Sequence, residues 1–109
     1  MERKVTVNGY ITKIKYSELT RDLELQLIEK VTSLPEFTEN DGKIPDDKEL
    51  ATKIREYLNS DPAFSGAEGT EWHVVVGQHF VCSFKHENNC VIFFDIIEFH
   101  KSILAFKSG

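Results

Sequence analysis

The stretch from Glu71 to Gly109 decides the fold of this chain, and it reads EWHVVVGQHFVCSFKHENNCVIFFDIIEFHKSILAFKSG. Short runs rich in Val, Ile and Phe alternate with polar or turn-forming segments, a pattern typical of strands joined by turns. The separating segments are Gly77-Gln78-His79, Glu87-Asn88-Asn89 and Glu98 to Lys101. From Trp72 onward the chain holds three basic and three acidic residues. We interpret this region as a weakly charged β-sheet suited to packing and to protein partners.

One strand and two helices are predicted before this region. Val5 to Lys15 alternates loosely and predicts one short strand with an irregular lead-in. Ser17 is the predicted N-cap of the first helix, which Pro35 ends. The second helix is predicted to start near Pro45-Asp46, where Asp46 and Glu49 have capping-box spacing. The apolar faces are Leu19, Leu23, Leu27, Val31 and Leu34 in the first helix, and Leu50, Ile54, Tyr57 and Leu58 in the second. The order β-α-α-β-β-β-β predicts an α+β domain with an antiparallel sheet.

Length and composition indicate one domain over residues 1–109, with 40% hydrophobic residues and eight phenylalanines. A net charge of −5 argues against nucleic acid as a ligand, because phosphate binding needs clustered cations. We expect no membrane association, since no apolar run has the length of a span and the start lacks an apolar signal core. Cys82 and Cys90 lack CxxC spacing and are predicted to be reduced thiols in the cytosol.

Imidazoles and thiols are concentrated near the C-terminus, which raises two alternatives, a metal site and a Cys/His nucleophile. Their spacing matches no zinc module. Cys82 and His86 would share one face of a strand but lie about 13 Å apart along it, at about 3.3 Å per residue. We therefore interpret both cysteines as small hydrophobes and predict no metal, no cofactor and no catalytic residue. The residues concerned are His73, His79, Cys82, His86, Cys90 and His100.

Phe80 to His86 has the composition of a strand. If it lies at a sheet edge, its unpaired N–H and C=O groups can accept an extended peptide as an added strand. If it lies inside the sheet, it has no such role, and periodicity alone does not separate the two possibilities.

Specific residues in the same region resemble the small dynein light chains of the eight-kilodalton type. The motif residues are Trp72-His73, Val76-Gly77, Phe80, His86-Glu87, Ile92-x-Phe94 and the terminal Phe106-Lys107-Ser108-Gly109. A weaker resemblance covers Lys48-Glu49-Leu50-Ala51-x-x-Ile54, and the turn before Ser102 is two residues longer than is usual in that family. The resemblance implies a dimeric peptide-binding hub that is not an enzyme.

The resemblance also implies a homodimer in which Phe80 to His86 crosses over and pairs with the partner's sheet, with Gly77 to His79 as the hinge. Each of two grooves, between the exchanged strand and the second helix of the opposite subunit, would bind an extended peptide with a Thr-Gln-Thr-like core. Dynein intermediate chain is the implied partner, and the implied location is cytoplasmic and microtubule-associated, or axonemal. The implied dimer-interface residues are His73, Gly77, Phe80 and Phe84. The implied peptide-binding residues are Lys15, Asp47, Lys48, Phe80, Cys82, Ser83, Lys85, His86, Val91, Phe93 and Asp95.

The chain departs from the family pattern inside the implied groove. Ser83 and Asp95 replace aromatic residues, and Lys85 places a cation where the family has a hydroxyl. These changes leave the fold expectation intact but put the peptide motif in question. A motor subunit is therefore the leading function, a general dimerisation hub independent of the motor is the second, and a Cys/His enzyme or metalloprotein is the alternative from another class.

Overall fold

The computed structural model describes residues 2–34, 46–65, 71–78 and 90–108. Five strands and two helices form this part of the chain. The strands are β1 (Arg3–Val7), β2 (Tyr10–Ser17), β3 (Glu71–Gly77), β4 (Val91–Ile96) and β5 (Lys101–Ser108). The helices are α1 (Arg21–Thr32) and α2 (Asp47–Ser60), and a short 3-10 turn, Ile97–Phe99, connects β4 to β5.

The strands form one sheet in the order β1-β2-β4-β5-β3, and every neighbouring pair is antiparallel. Both helices lie in sequence between the N-terminal and C-terminal strands. The predicted α+β class and antiparallel sheet are therefore confirmed. The predicted exchanged strand, Phe80 to His86, lies outside the described residues.

The N-terminal segment differs in detail from its prediction. Val5 to Lys15 was expected to be one strand, but Asn8 and Gly9 divide the segment into the hairpin of β1 and β2. Both turn residues have positive φ, 52° and 83°, as a two-residue type I′ turn requires. Val7 pairs with Tyr10 directly across the turn. The Asn-Gly dipeptide is a strong hairpin signal because both residues tolerate this backbone conformation.

Helix α1 begins later than predicted. Ser17 is the last residue of β2, where it pairs with Ile92, so it is not the N-cap. Its hydroxyl oxygen accepts the N–H of Leu19 at 3.1 Å, and Thr20 caps the helix by accepting the N–H of Leu23 at 3.3 Å. Strand pairing at Ser17 thus overrides its local capping preference.

Helix α2 begins as predicted, with Asp46 as its N-cap. The Asp46 carboxylate accepts the N–H of Glu49 at 3.1 Å, which is half of a capping box. Leu50, Ile54 and Leu58 are buried in the core, which confirms the predicted apolar face. These side chains hold α2 against the sheet, beside β3.

The sheet has two faces, and the helices cover one of them. The core cluster on the helix side contains the alternating residues Ile92, Phe94 and Ile96 of β4. We call the opposite side the outer face. The strand alternation and register place these residues on the outer face: His73, Val75, Val91, Phe93, Asp95, Ser102, Leu104 and Phe106.

Thr12 of β2 is fully buried opposite Ile96, and its hydroxyl has no hydrogen-bond partner among the described residues. We therefore expect Thr12→Val, which keeps the shape and removes this unpaired group, to raise the free energy of unfolding by about 1 kcal/mol. Urea denaturation measures the change. Thr6→Val on the exposed side of β1 is the matched control and should change stability by less than about 0.5 kcal/mol. A destabilised Thr12→Val variant would contradict the prediction, because it would reveal a hydrogen bond at this hydroxyl.

Candidate functional site

A polar cluster on the outer face brings together Lys15, Phe93 and Asp95, which are three of the predicted site residues. The register of β2 against β4 shifts between Ile14 and Tyr16, so Lys15 lies in a bulge. The Lys15 ammonium lies 3.2 Å from an Asp95 carboxylate oxygen and 5.1 Å from the centroid of the Phe93 ring. Such a position over an aromatic face adds a cation–π attraction to the ion pair.

Ser102 completes this cluster, and the sequence did not predict it. The Ser102 hydroxyl donates to the Asp95 carboxylate at 2.6 Å, and the two residues are directly opposite in β5 and β4. The Asp95 side chain is only 8% exposed, so this bond and the Lys15 ammonium compensate for burying its charge. The pairing depends on strand register, for which the sequence carried no separate signal.

Tyr16 lies beside the cluster, opposite Phe93. Its hydroxyl hydrogen-bonds to the Glu18 carboxylate. This hydrogen bond raises the pKa of the Tyr16 hydroxyl, with smaller contributions from desolvation and from the negative charge of Glu18. Tyr16 is therefore a neutral donor at physiological pH.

Asp47 and Lys48, also predicted site residues, lie in the first turn of α2 on the other side of the sheet. The Asp46 side chain and carbonyl accept the N–H groups of Glu49 and Leu50. This leaves the N–H groups of Asp47 and Lys48 without a partner inside the helix. The Asp47 carboxylate forms an ion pair with the ammonium of Lys101, the first residue of β5.

The remaining described site residues lie on the outer face at β3 and β4. His73 contacts Phe106 across the sheet, with ring centroids 5.4 Å apart, and Gly77 ends β3 opposite Ser102. Val91 is buried at the start of β4. The predicted site residues Phe80, Cys82, Ser83, Phe84, Lys85 and His86 lie outside the described residues.

Strand β3 is an edge of the sheet formed by the described residues, since its sheet neighbour there is β5 alone. The N–H of Trp72 donates to the Asn59 side chain at 2.8 Å and is therefore directed away from β5. Because backbone groups alternate along an antiparallel strand, the N–H groups of Val74 and Val76 also point toward this free edge. They are positioned to pair with an additional strand.

A groove runs between this edge and α2. It has a volume of about 200 Å³ and is lined by Lys48, Ala51, Thr52, Arg55 and Val74. Its lining includes a residue of the α2 start and a residue of the β3 edge. A chain segment paired with β3 would therefore lie against the first turns of α2.

Neither a metal cluster nor a membrane helix is found in the described part of the chain. His73, Cys90 and His100 are described, and no group of three or more His, Cys, Asp or Glu side chains among the described residues is arranged to hold a metal ion. No helix in the same ranges is long and apolar enough to cross a membrane. The other His and Cys residues that the sequence places near the C-terminus, His79, Cys82 and His86, lie outside the described residues.

Comparison with models of protein families shows which family the chain belongs to. The family model described as dynein light chain type 1 matches residues 12–108. The chain belongs to the dynein light chain type 1 family. The resemblance inferred from Trp72-His73, Val76-Gly77 and the terminal Phe-Lys-Ser-Gly is thereby confirmed. No curated protein matches the sequence of this dynein light chain. Its strand β1 and the Asn8-Gly9 turn precede the matched residues, so β1 extends this light chain's sheet beyond the part that the family model covers.

Proposed function

We propose that this dynein light chain is a non-enzymatic homodimer that binds extended peptides by strand addition. The observation that carries the proposal is that β3 is an edge strand among the described residues, with outward N–H groups at Val74 and Val76 and with a groove between Val74 and α2. A strand of a second copy, Phe80 to His86, pairs with this edge. A partner peptide then extends the sheet by one further strand.

The separation of the predicted site residues supports a dimer. Lys15, Phe93 and Asp95 lie on the outer face, whereas Asp47 and Lys48 lie at the start of α2 on the helix side. One copy of the chain therefore does not bring them into a single pocket. In the proposed dimer, the outer face of one subunit lies against the second copy, so residues of the two groups can line one groove between the subunits.

The partner we propose is dynein intermediate chain, which places the protein at microtubules in the cytoplasm or the axoneme. Family membership is the support for this choice. A general dimerisation hub that is independent of the motor is the second candidate. The replacement of aromatic residues by Ser83 and Asp95 favours it, because a changed groove selects a changed set of peptides. Affinity purification from a native cell extract separates the two, since recovery of dynein intermediate chain is expected only for the motor subunit.

Titration with a synthetic peptide containing Thr-Gln-Thr tests the groove. We expect one peptide per chain and a Kd in the micromolar range, because each backbone hydrogen bond contributes only about 1 kcal/mol and ordering the peptide offsets part of it. The amides of Phe80 to His86 should exchange more slowly with solvent when the peptide is bound. The control peptide has Ala in place of Gln. Equal binding of both peptides, or unchanged exchange in this strand, would contradict strand addition at this site.

A further inference from the structure

Strand β1 covers one edge of the sheet, at the end away from β3. Val7 pairs with Tyr10 directly beside the two-residue turn, so the bonding groups alternate from there along the hairpin. The N–H groups of Thr12 and Ile14 therefore point toward β1, and without β1 they would have no strand partner among the described residues. β1 and the turn precede residues 12–108, which the family model matches. This chain thus carries an added strand over the edge of β2.

Polar contacts and an apolar face hold β1 against α1. The Arg3 guanidinium donates through one nitrogen to both carboxylate oxygens of Glu24, at 2.8 and 2.7 Å, and Glu24 is only 2% exposed. At the turn, the Asn8 amide donates to the Thr32 hydroxyl at 3.0 Å. The apolar residues of β1 that pack against the core are Val5 and Val7. Because displacing β1 would take the cation away from a buried carboxylate, β1 is a fixed part of the sheet.

The outward side of β1 is poorly suited to receive a further strand. The alternation of the hairpin directs the N–H groups of Lys4 and Thr6 away from β2. Both side chains are exposed, and Lys4 lies directly opposite Lys13 of β2. A short edge strand that carries a lysine resists pairing, because an added strand would have to bury or displace the charge. β1 therefore replaces the eight-residue edge of β2 with an edge of five residues that discourages strand addition.

We propose that β1 is a built-in cover that prevents a second copy of this chain from adding to β2. The excluded occupant is a second copy because each copy carries the same strand, and two β2 strands can pair antiparallel about a twofold axis. The cover itself does not depend on the proposed function, but the size of the assembly that it prevents rests on the proposed homodimer. A homodimer has two β2 strands, so uncovering both would join dimers into open-ended chains, whereas a monomer would form only a pair.

The first test removes residues 2–9 and includes Glu24→Gln, so that no carboxylate is left without its cation. Full-length Glu24→Gln is the matched control. Sedimentation over a concentration series measures the mass, and circular dichroism checks that each protein is folded. The control should keep the wild-type mass. The mean mass of the shortened chain should rise about threefold when the concentration is raised about tenfold, since an open-ended assembly grows roughly as the square root of concentration.

A synthetic peptide with the sequence of residues 2–9 tests whether the uncovered edge causes the association. Added in excess to the shortened chain, the peptide should pair with β2 and return the mass to the wild-type value. The same peptide with Val5→Pro lacks an N–H that points toward β2 and should not reverse the association. The peptide with Thr6→Pro lacks only an outward N–H and should act like the native peptide.

The same two substitutions in the full chain repeat the test without a deletion. Val5→Pro removes a hydrogen bond between β1 and β2, so it should loosen the cover and give a mass that grows with concentration. Thr6→Pro should keep the wild-type mass, because proline is tolerated in an edge strand where the N–H points out of the sheet.

Each outcome supports or overturns the inference. A folded shortened chain with the wild-type mass at every concentration would overturn it. Association that the native peptide does not reverse would also overturn it, and so would unfolding of both the shortened chain and Val5→Pro, because β1 would then be needed for folding itself. If only the shortened chain unfolds, the mass of Val5→Pro decides in the same way. A wild-type monomer whose shortened form becomes a dimer would support the cover and contradict the proposed homodimer.

Discussion

If the protein is the proposed homodimer, a proline at Val74 is expected to convert it to a monomer without unfolding it. The N–H of Val74 points away from β5, toward the side of β3 that has no neighbouring strand in the described part of the chain, and is not needed for pairing with β5. Proline has no N–H and therefore removes one hydrogen bond to the exchanged strand of the second copy. The proposed dimer has two symmetric strand pairings, and each should contribute about 2 kcal/mol less to the free energy of association. The total loss of about 4 kcal/mol raises the dimer Kd about a thousandfold. Sedimentation over a concentration series measures this change.

Two variants control for other effects of the substitution. Val74→Ala removes the side-chain packing but keeps the N–H, so its dimer should persist. Val75→Pro affects an exposed side chain, 45% accessible, but its N–H points toward β5, so this variant should unfold. A Val74→Pro protein that dimerises as tightly as wild type would show that β3 is not the edge used for dimerisation.

The largest loss of stability is expected for Trp72→Ala. The Trp72 side chain is 1% exposed, and its indole N–H donates to the carbonyl of Phe64 at 2.9 Å. The Phe64 ring packs edge to face against the indole, with ring centroids 6.1 Å apart. Truncation leaves a large cavity between the end of α2 and β3, and also an unpaired carbonyl. We expect the free energy of unfolding to fall by about 3–5 kcal/mol, a large part of the stability of a domain of this size.

Trp72→Phe separates the cost of the cavity from the cost of the lost hydrogen bond. It keeps most of the apolar volume and removes only the hydrogen bond and part of the ring. Its expected cost is about 1–2 kcal/mol. Both variants should be compared with wild type by urea denaturation at one protein concentration, since the proposed dimerisation would make stability concentration-dependent. Val75→Ala, at the exposed position, serves as the surface control. A loss below about 1 kcal/mol for Trp72→Ala would contradict the assigned packing.

Local patterns predicted the helices well and the N-terminal boundaries less well. The start of α2 follows from Asp46 and its apolar face from Leu50, Ile54 and Leu58, because capping and helical spacing act within a few residues. The hairpin turn at Asn8-Gly9 was also readable from the sequence, but the loose alternation around it was interpreted as one strand. Ser17 was assigned to the helix because its capping preference is local, whereas its pairing with Ile92 is not.

The sequence by itself determined the fold class, the two helical faces, the strand-rich C-terminal region and, through its motif residues, the family. These features depend on interactions between near neighbours or on the identity of individual residues. Only the tertiary structure decided that Ser102 and Lys15 meet at Asp95, that Lys101 is buried against Asp47, and that β3 is an edge strand among the described residues. Strand order and register bring together residues far apart in the chain, and a lysine or a serine carries no local sign of the partner that it will meet.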